Sequence, residues 1–155
     1  MGFLVVPARV RDAETLLKLQ YLCYQTEAAL YGDYTIAPLV QSLAHLLAEY
    51  DTHRILAIRI GEELVGSVRG QLIDGTCYIG RLIVHPRLQR RGLGTQLMHA
   101  IEGYFSEADR YELFTGHRSE QNLRLYRRLG YTDFREEVVS PALRLIYLEK
   151  RSNAL

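Results

Sequence analysis

Residues 82–94 read Leu-Ile-Val-His-Pro-Arg-Leu-Gln-Arg-Arg-Gly-Leu-Gly, and this stretch decides the fold. An apolar run predicts the end of a buried strand, a polar loop follows, and an amphipathic pattern predicts a helix from about Gly92. At such a strand-to-helix junction, free backbone N–H groups and the helix dipole converge on an anion. The Gly-x-Gly spacing lacks the Lys-Ser/Thr of a Walker loop, and Leu97 stands where a dinucleotide-binding fold has its third glycine. On their own, Gly92 and Gly94 are also compatible with a simple tight turn.

The flanking segments predict an α/β (α+β) protein with a mixed sheet of six to seven strands and about four helices. The first helix is predicted to be capped by Asp12, and the strand–helix–strand unit after residue 77 implies a right-handed parallel crossover. The predicted order is β-α-α-β-β-β-α-β-α-β-β. The strands are predicted at residues 3–8, 55–60, 64–72, 77–84, 111–115, 131–139 and 143–149, and the helices begin near residues 12, 38, 92 and 119.

Composition sets limits on the class of protein. The 155 residues, of which 48% are hydrophobic and 24% charged, suit one globular domain over 1–155. A net charge of +1 argues against a nucleic-acid binder, and no run approaches the roughly 18 apolar residues of a membrane helix. Cys23 and Cys77 show neither disulfide nor metal-site spacing, so we expect no metal and a cytoplasmic location.

Two motifs carry a resemblance to a known family. The apolar strand followed by Pro86 and Gln-x-x-Gly-x-Gly resembles motif A of the GCN5-related N-acetyltransferase (GNAT) superfamily. Residues 122–131, Asn-Leu-Arg-Leu-Tyr-Arg-Arg-Leu-Gly-Tyr, resemble motif B of the same superfamily. The predicted order of elements is also that of the GNAT fold.

The resemblance implies acetyl-CoA as a co-substrate. Its pyrophosphate is expected on the amides of about Arg90 to Thr95, and its pantetheine arm beside the strand at 82–84. Arginines at positions 87, 90, 91, 124, 127 and 128 add local positive charge, although each is equally compatible with a solvated helix face. The implied cofactor-binding residues are Leu82, Ile83, Val84, Gln89, Arg90, Arg91, Gly92, Leu93, Gly94, Thr95, Asn122 and Tyr126.

The resemblance also implies catalytic residues. Tyr126 matches the motif B tyrosine that protonates the departing thiolate, although aromatic packing under the sheet is the alternative. Some members carry a glutamate on the fourth strand, but here Gly80 and Arg81 stand in that region. Glu27, at the end of the first helix beside the expected acceptor site, is the first candidate for the base, and Glu112 is the second. Each glutamate is also compatible with a role in solubility only.

Tyrosines cluster at the loop between the first two helices. We expect Glu27, Tyr31, Asp33 and Tyr34 to bind the acceptor, because tyrosines and carboxylates suit a cationic or aromatic amine. The same tyrosines also suit a core cluster or the contact of a homodimer.

The sequence therefore predicts an acetyl-CoA-dependent N-acetyltransferase. Because neither cysteine lies within the motifs, we expect direct attack by a primary amine of a small molecule or peptide in a ternary complex. The alternative is a non-catalytic acyl-CoA-binding protein of the GNAT fold, acting as a sensor or partner module.

Overall fold

The computed structural model describes residues 3–152, so the first two and last three residues of the predicted domain lie outside it. Within this range the strands are β1 (Val5–Pro7), β2 (Arg54–Ile60), β3 (Glu63–Ile73), β4 (Thr76–Val84), β5 (Arg110–Gly116), β6 (Thr132–Ser140) and β7 (Leu143–Arg151). The helices are α1 (Ala13–Cys23), α2 (Gln25–Tyr31), α3 (Ala37–Val40), α4 (Leu43–Glu49), α5 (Leu93–Tyr104) and α6 (Glu120–Arg128). The predicted fold class and order of elements are confirmed. No helix in the described part of the chain is long and apolar enough to cross a membrane.

The seven strands that the structure describes form one sheet in the order β1-β2-β3-β4-β5-β7-β6. Every neighbouring pair is antiparallel except β4 and β5, which are parallel. Within residues 3–152, β4 and β5 pair only where Thr76–Tyr78 lies beside Arg110–Glu112. Beyond these three pairs the two strands diverge, which leaves one edge of β4 free at residues 82–84.

Two hydrophobic cores lie on opposite faces of the sheet. The α5 face is covered by α5 and α6, which bury residues such as Leu97, Ile101 and Tyr126. The α1 face is covered over β2–β4 by α1 and α4, which bury Leu16 and Leu46. Over β5, β7 and β6 the α1 face carries an exposed aromatic group, in which the Phe114 and Phe134 rings lie 5.2 and 6.3 Å from that of Tyr147.

A β-bulge interrupts β4 where it has separated from β5. Ser67 of β3 pairs with Ile83, whereas Arg69 pairs with Gly80, so β4 has one extra residue in this interval. Arg81 within the bulge has a φ of 51°, in the left-handed region that few side chains adopt. A bulge bends its strand and redirects its side chains. This bulge directly precedes the free edge of β4.

The first two predicted helices are each divided. The first breaks at Tyr24 into α1 and α2, and the second breaks after Val40 into α3 and α4. The prediction that Asp12 caps the first helix is wrong. Its carboxylate accepts a hydrogen bond from the Arg9 backbone N–H (2.9 Å) and pairs with Arg59 on β2 instead.

Candidate active site

A cleft of about 1160 Å³ opens where β4 leaves β5. Its walls are the end of β4, the first turn of α5, the amino-terminal part of α6, and the α1–α2 segment. Arg91 and Tyr126 are not among its lining residues. The predicted cofactor residues that do line it are Leu82, Ile83, Val84, Gln89, Arg90, Gly92, Leu93, Gly94, Thr95 and Asn122.

The first turn of α5 presents free backbone donors to this cleft. Its first helical hydrogen bond runs from the Gln96 N–H to the Gly92 carbonyl (3.0 Å), and no side chain of residues 3–152 caps the helix. The N–H groups of residues 93–95 are therefore available to a ligand. Gly92 has a φ of 81°, and an added Cβ there would meet nothing within 4 Å. Gly92 is thus required for its backbone conformation, while Gly94 lets Leu125 of α6 pack closely, because its Cβ would lie 3.3 Å from Leu125 Cδ2.

The positive charges of the two motifs divide into two groups. Arg90, Arg124 and Arg128 line the cleft and form no ion pair with the residues that the structure describes. Arg87 and Arg127 instead form exposed ion pairs with neighbouring carboxylates, at 2.6 and 2.7 Å. The cleft therefore has at least three arginines whose charge is free to meet an anionic ligand.

A chain of hydrogen bonds ends on Glu27, on the opposite wall of the cleft. The Ser119 hydroxyl donates to the Glu27 carboxylate, and the Tyr31 hydroxyl donates to Ser119 Oγ (3.1 Å), since the Ser119 hydrogen is already used. The Tyr31 oxygen in turn accepts from the Arg118 backbone N–H (3.0 Å). Burial raises the pKa of Glu27, and the Ser119 hydrogen bond opposes this rise. The first candidate base is therefore held in a fixed position by α2 and the start of α6.

Tyr31 is buried, with 7% of its surface exposed, and it does not line the cleft. An added Cβ at Gly116, the last residue of β5, would overlap the Tyr31 hydroxyl, so the glycine makes room for this tyrosine. Tyr31 thus orients Ser119, and its contact with an acceptor stays a prediction.

The other predicted acceptor residues lie outside the cleft lining. Asp33 accepts hydrogen bonds from the Thr35 N–H and hydroxyl, which lower its pKa, and Tyr34 is exposed. Glu112, the second candidate base, pairs with Arg110 at 3.0 Å instead of facing the cleft. The structure therefore brings Glu27 to the site and leaves Asp33, Tyr34 and Glu112 away from it.

Tyr126 lies beneath the cleft with 5% of its surface exposed. Its hydroxyl makes no hydrogen bond within residues 3–152. Burial raises the pKa of Tyr126, and the charges of Tyr24 and Glu27 raise it further. The hydroxyl therefore keeps its proton at neutral pH and lies within electrostatic range of Glu27.

Cys23 and Ser119 are two of the lining residues that the sequence did not single out. The Cys23 thiol lines the cleft and donates to the Val84 carbonyl (3.4 Å). Burial raises its pKa to about 12, so it remains a thiol and is a poor nucleophile. Both residues looked ordinary in sequence: Cys23 as an apolar helix position, and Ser119 as the start of a helix.

Comparison with known proteins agrees with this geometry. A model of the acetyltransferase (GNAT) family matches residues 15–131. The chain belongs to the GNAT family. The match covers both motifs and most of the sheet, so the predicted resemblance is confirmed. No curated protein matches this GNAT chain in sequence.

Solved structures share the whole architecture at low sequence identity. The PaiA N-acetyltransferase from Thermoplasma acidophilum, in complex with coenzyme A, is 17% identical, with a TM-score of 0.80 over 97% of this chain and 99% of that one. YncA of Salmonella typhimurium, a putative acetyltransferase with its cofactor acetyl-CoA, is 16% identical, with a TM-score of 0.76 over 100% and 96% of the two chains. An N-acetyltransferase from Staphylococcus aureus Mu50 is 13% identical, with a TM-score of 0.78 over 99% and 100%. These similarities show that the present chain has the GNAT fold.

Proposed function

We propose that the protein transfers the acetyl group of acetyl-CoA to a primary amine of a small molecule or peptide, by direct attack in a ternary complex. One observation carries the proposal: the free amides at the start of α5 and the half-buried Glu27 carboxylate line the same cleft. One end of this cleft suits a phosphate and the other suits an amine that must lose a proton.

The residues present fit acetyl-CoA, which supplies a thioester as the acetyl donor. Its pyrophosphate suits the N–H groups of residues 93–95, with Arg90, Arg124 and Arg128 contributing positive charge. Its pantetheine amides suit the edge of β4 at 82–84, which β5 leaves free. The bound complexes of PaiA and YncA support this choice of co-substrate.

Glu27 is assigned the removal of a proton from the attacking amine. An ordinary alkylamine has a pKa near about 10, so it reaches the thioester only after it loses a proton. Because burial raises the pKa of Glu27, this carboxylate is a stronger base than an exposed glutamate while the Ser119 hydroxyl holds it in place. Glu27 thus acts as the general base, a role that no carboxylate of β4 can fill.

Tyr126 is assigned the protonation of the leaving group, the thiolate of coenzyme A. As the new C–N bond forms and the C–S bond breaks, the thiolate of coenzyme A takes a proton, and the buried Tyr126 hydroxyl carries one at neutral pH. The amine proton goes to Glu27 and the tyrosine proton goes to sulfur, so the two transfers balance. Bulk solvent then restores both groups.

The cofactor assignment is tested by titrating acetyl-CoA into the protein in a calorimeter. The double variant Arg124→Gln/Arg128→Gln should bind about tenfold or more weakly, because it loses two charged contacts to phosphate. Arg127→Gln is the control: it removes one positive charge from the same helix, but at an arginine that pairs with Asp133 away from the cleft. Equal affinity in all three proteins would contradict the assignment.

Turnover separates the enzyme from the alternative of a non-catalytic acyl-CoA-binding protein. Release of coenzyme A is followed with a panel of amines, and Glu27→Gln should lower kcat by about 10² to 10⁴ while acetyl-CoA affinity is unchanged. Tight acetyl-CoA binding with no acetylation of any amine would favour the non-catalytic alternative.

A further inference from the structure

Two arginines lie on the α1 face beside the bulge of β4. Arg69 on β3 is 2% exposed; its guanidinium donates to Glu49 (2.7 Å) and Gln20 (2.6 Å). Arg81 on β4 forms no ion pair within the described part of the chain, and its Nε is buried without a hydrogen-bond partner. Two guanidinium groups and the single carboxylate of Glu49 leave one positive charge unmatched.

The unmatched charge stands beside open space. Arg69 is the register partner of Gly80, so their side-chain directions share the α1 face. An added Cβ at Gly80 would meet nothing within 4 Å, so there is room there for part of a ligand. Arg81 follows directly in the bulge, and the next residue, Leu82, lines the cleft.

Tyr24 lines the cleft and lies within electrostatic range of both Arg81 and Glu27. Burial raises the pKa of the Tyr24 hydroxyl; among the charges that act on it, Arg81 has the largest effect, in the opposite direction, and Glu27 adds to the rise. Arg81 is not itself a lining residue, but the two residues that follow it on β4, Leu82 and Ile83, are. His53, a further titratable group near Arg81, has its pKa lowered by burial, so it does not add another positive charge at neutral pH.

We propose that the acceptor is an amine that also carries a carboxylate, as a free amino acid does, and that Arg81 binds this carboxylate. The inference rests on the proposed acetyl transfer. A guanidinium group holds a carboxylate through two parallel hydrogen bonds, which fixes the orientation of the acceptor. A single negative charge on the acceptor matches the one positive charge that Glu49 leaves unmatched at Arg69 and Arg81, and the amine is then turned toward Glu27.

The position of Arg81 has a second effect on an acceptor bound in this way. A nearby positive charge disfavours a protonated amine, so the guanidinium groups of Arg69 and Arg81 lower the pKa of the acceptor amine. The free-base form that attacks the thioester becomes more abundant. An arginine in this part of β4 therefore assists the reaction by lowering the pKa of the amine, whereas a carboxylate there would remove the proton directly.

The test uses matched acceptors: the common L-amino acids and their carboxamides, in which a neutral group of similar shape replaces the carboxylate. With the wild-type protein, kcat/KM for the best amino acid should exceed that for its amide by about 10- to 100-fold. Arg81→Asn removes the charge and tolerates the positive φ, and Arg81→Lys keeps the charge. The Asn variant should lose the preference through a higher KM for the acid, and the Lys variant should keep part of it.

Arg135→Gln is the control, since Arg135 lies over Tyr147 and belongs to β6, which β5 and β7 separate from β4. Its preference should equal that of the wild-type protein. The inference is overturned if amides are acetylated as well as acids, if Arg81→Asn keeps the preference, or if acetyl-CoA binds but no member of the panel is acetylated. Failure of the proposed function is a separate result, namely that acetyl-CoA does not bind at all.

Discussion

Replacement of Tyr126 by phenylalanine should separate catalysis from stability. The hydroxyl makes no hydrogen bond to residues 3–152 and is not one of the buried atoms that lack a partner, so its removal costs no contact within the described part of the chain. We expect the free energy of unfolding to stay within about 1 kcal/mol of the wild-type value. For a chain of this size the melting temperature then shifts by no more than about 4 °C. In contrast, kcat should fall by about 10² to 10⁴ if the hydroxyl protonates the thiolate.

Tyr131 provides a matched control. It is as buried as Tyr126, its ring lies 6.1 Å from that of Tyr126, and its hydroxyl donates to a Glu102 carboxylate oxygen at 2.7 Å. Tyr131→Phe should lose about 1.5 to 3 kcal/mol, because a hydrogen bond to a charged group is removed and the carboxylate loses a partner. Its kcat should stay close to the wild-type value.

Calorimetric melting and steady-state release of coenzyme A measure the two effects on the same samples. The melting temperature of the Tyr131 variant should fall by roughly 3 to 10 °C, while only the Tyr126 variant should lose turnover. A Tyr126→Phe protein that retains full kcat when chemistry limits the rate would refute the role of this hydroxyl as an acid. A loss of stability as large as in the control would show that the hydroxyl has a structural partner.

Three further predictions concern the Glu27 wall of the cleft. Because burial raises the pKa of Glu27, kcat/KM should rise with pH, with a midpoint above the usual pKa of a glutamate. The pH profile of Glu27→Gln should lack this rise. A rise that persists in the variant would belong to another titrating group. Ser119→Ala removes the hydrogen bond that lowers the pKa of Glu27, so the same rise should move to higher pH, and an unmoved profile would count against the contact. Gly116→Ala should destabilise the protein by about 1 to 3 kcal/mol in urea unfolding, because its Cβ overlaps the Tyr31 hydroxyl, and Tyr31→Phe in the same chain should restore part of the loss. Equal stability of the wild-type and Gly116→Ala proteins would contradict this packing.

The cofactor half of the site was predictable because its information is local. A strand, a loop with two glycines and a helix are contiguous in the chain, so the free amides of residues 93–95 follow from spacing alone. Phosphate binding stays a prediction, but the free backbone N–H groups at the start of α5 are present. In the protein itself, the positive φ of Gly92 accounts for the glycine at this position.

The acceptor half was less predictable because its residues meet through tertiary packing. Ser119 reaches Glu27 across 92 residues of chain, and no periodic pattern links the two. Asp33 and Tyr34 lie close to Glu27 in sequence, but the end of α2 at Gly32, with a φ of 60°, is followed by a local turn at Thr35. Neighbouring positions on either side of a left-handed residue point in unrelated directions, so proximity in sequence did not predict a shared site.

The narrow connection between β4 and β5 affects more than the shape of the cleft. Three residue pairs join the two strands in the described chain, so the sheet is weakest along this line and the amides at its free edge are open to exchange with solvent. A ligand that contacts both β4 and β5 would hold the two parts of the sheet together. At a hundred times its dissociation constant it would add about 2.7 kcal/mol to the free energy of unfolding. Resistance to proteolysis inside a cell would then track the local supply of the acyl donor, and starvation for that donor would shorten the lifetime of the protein itself.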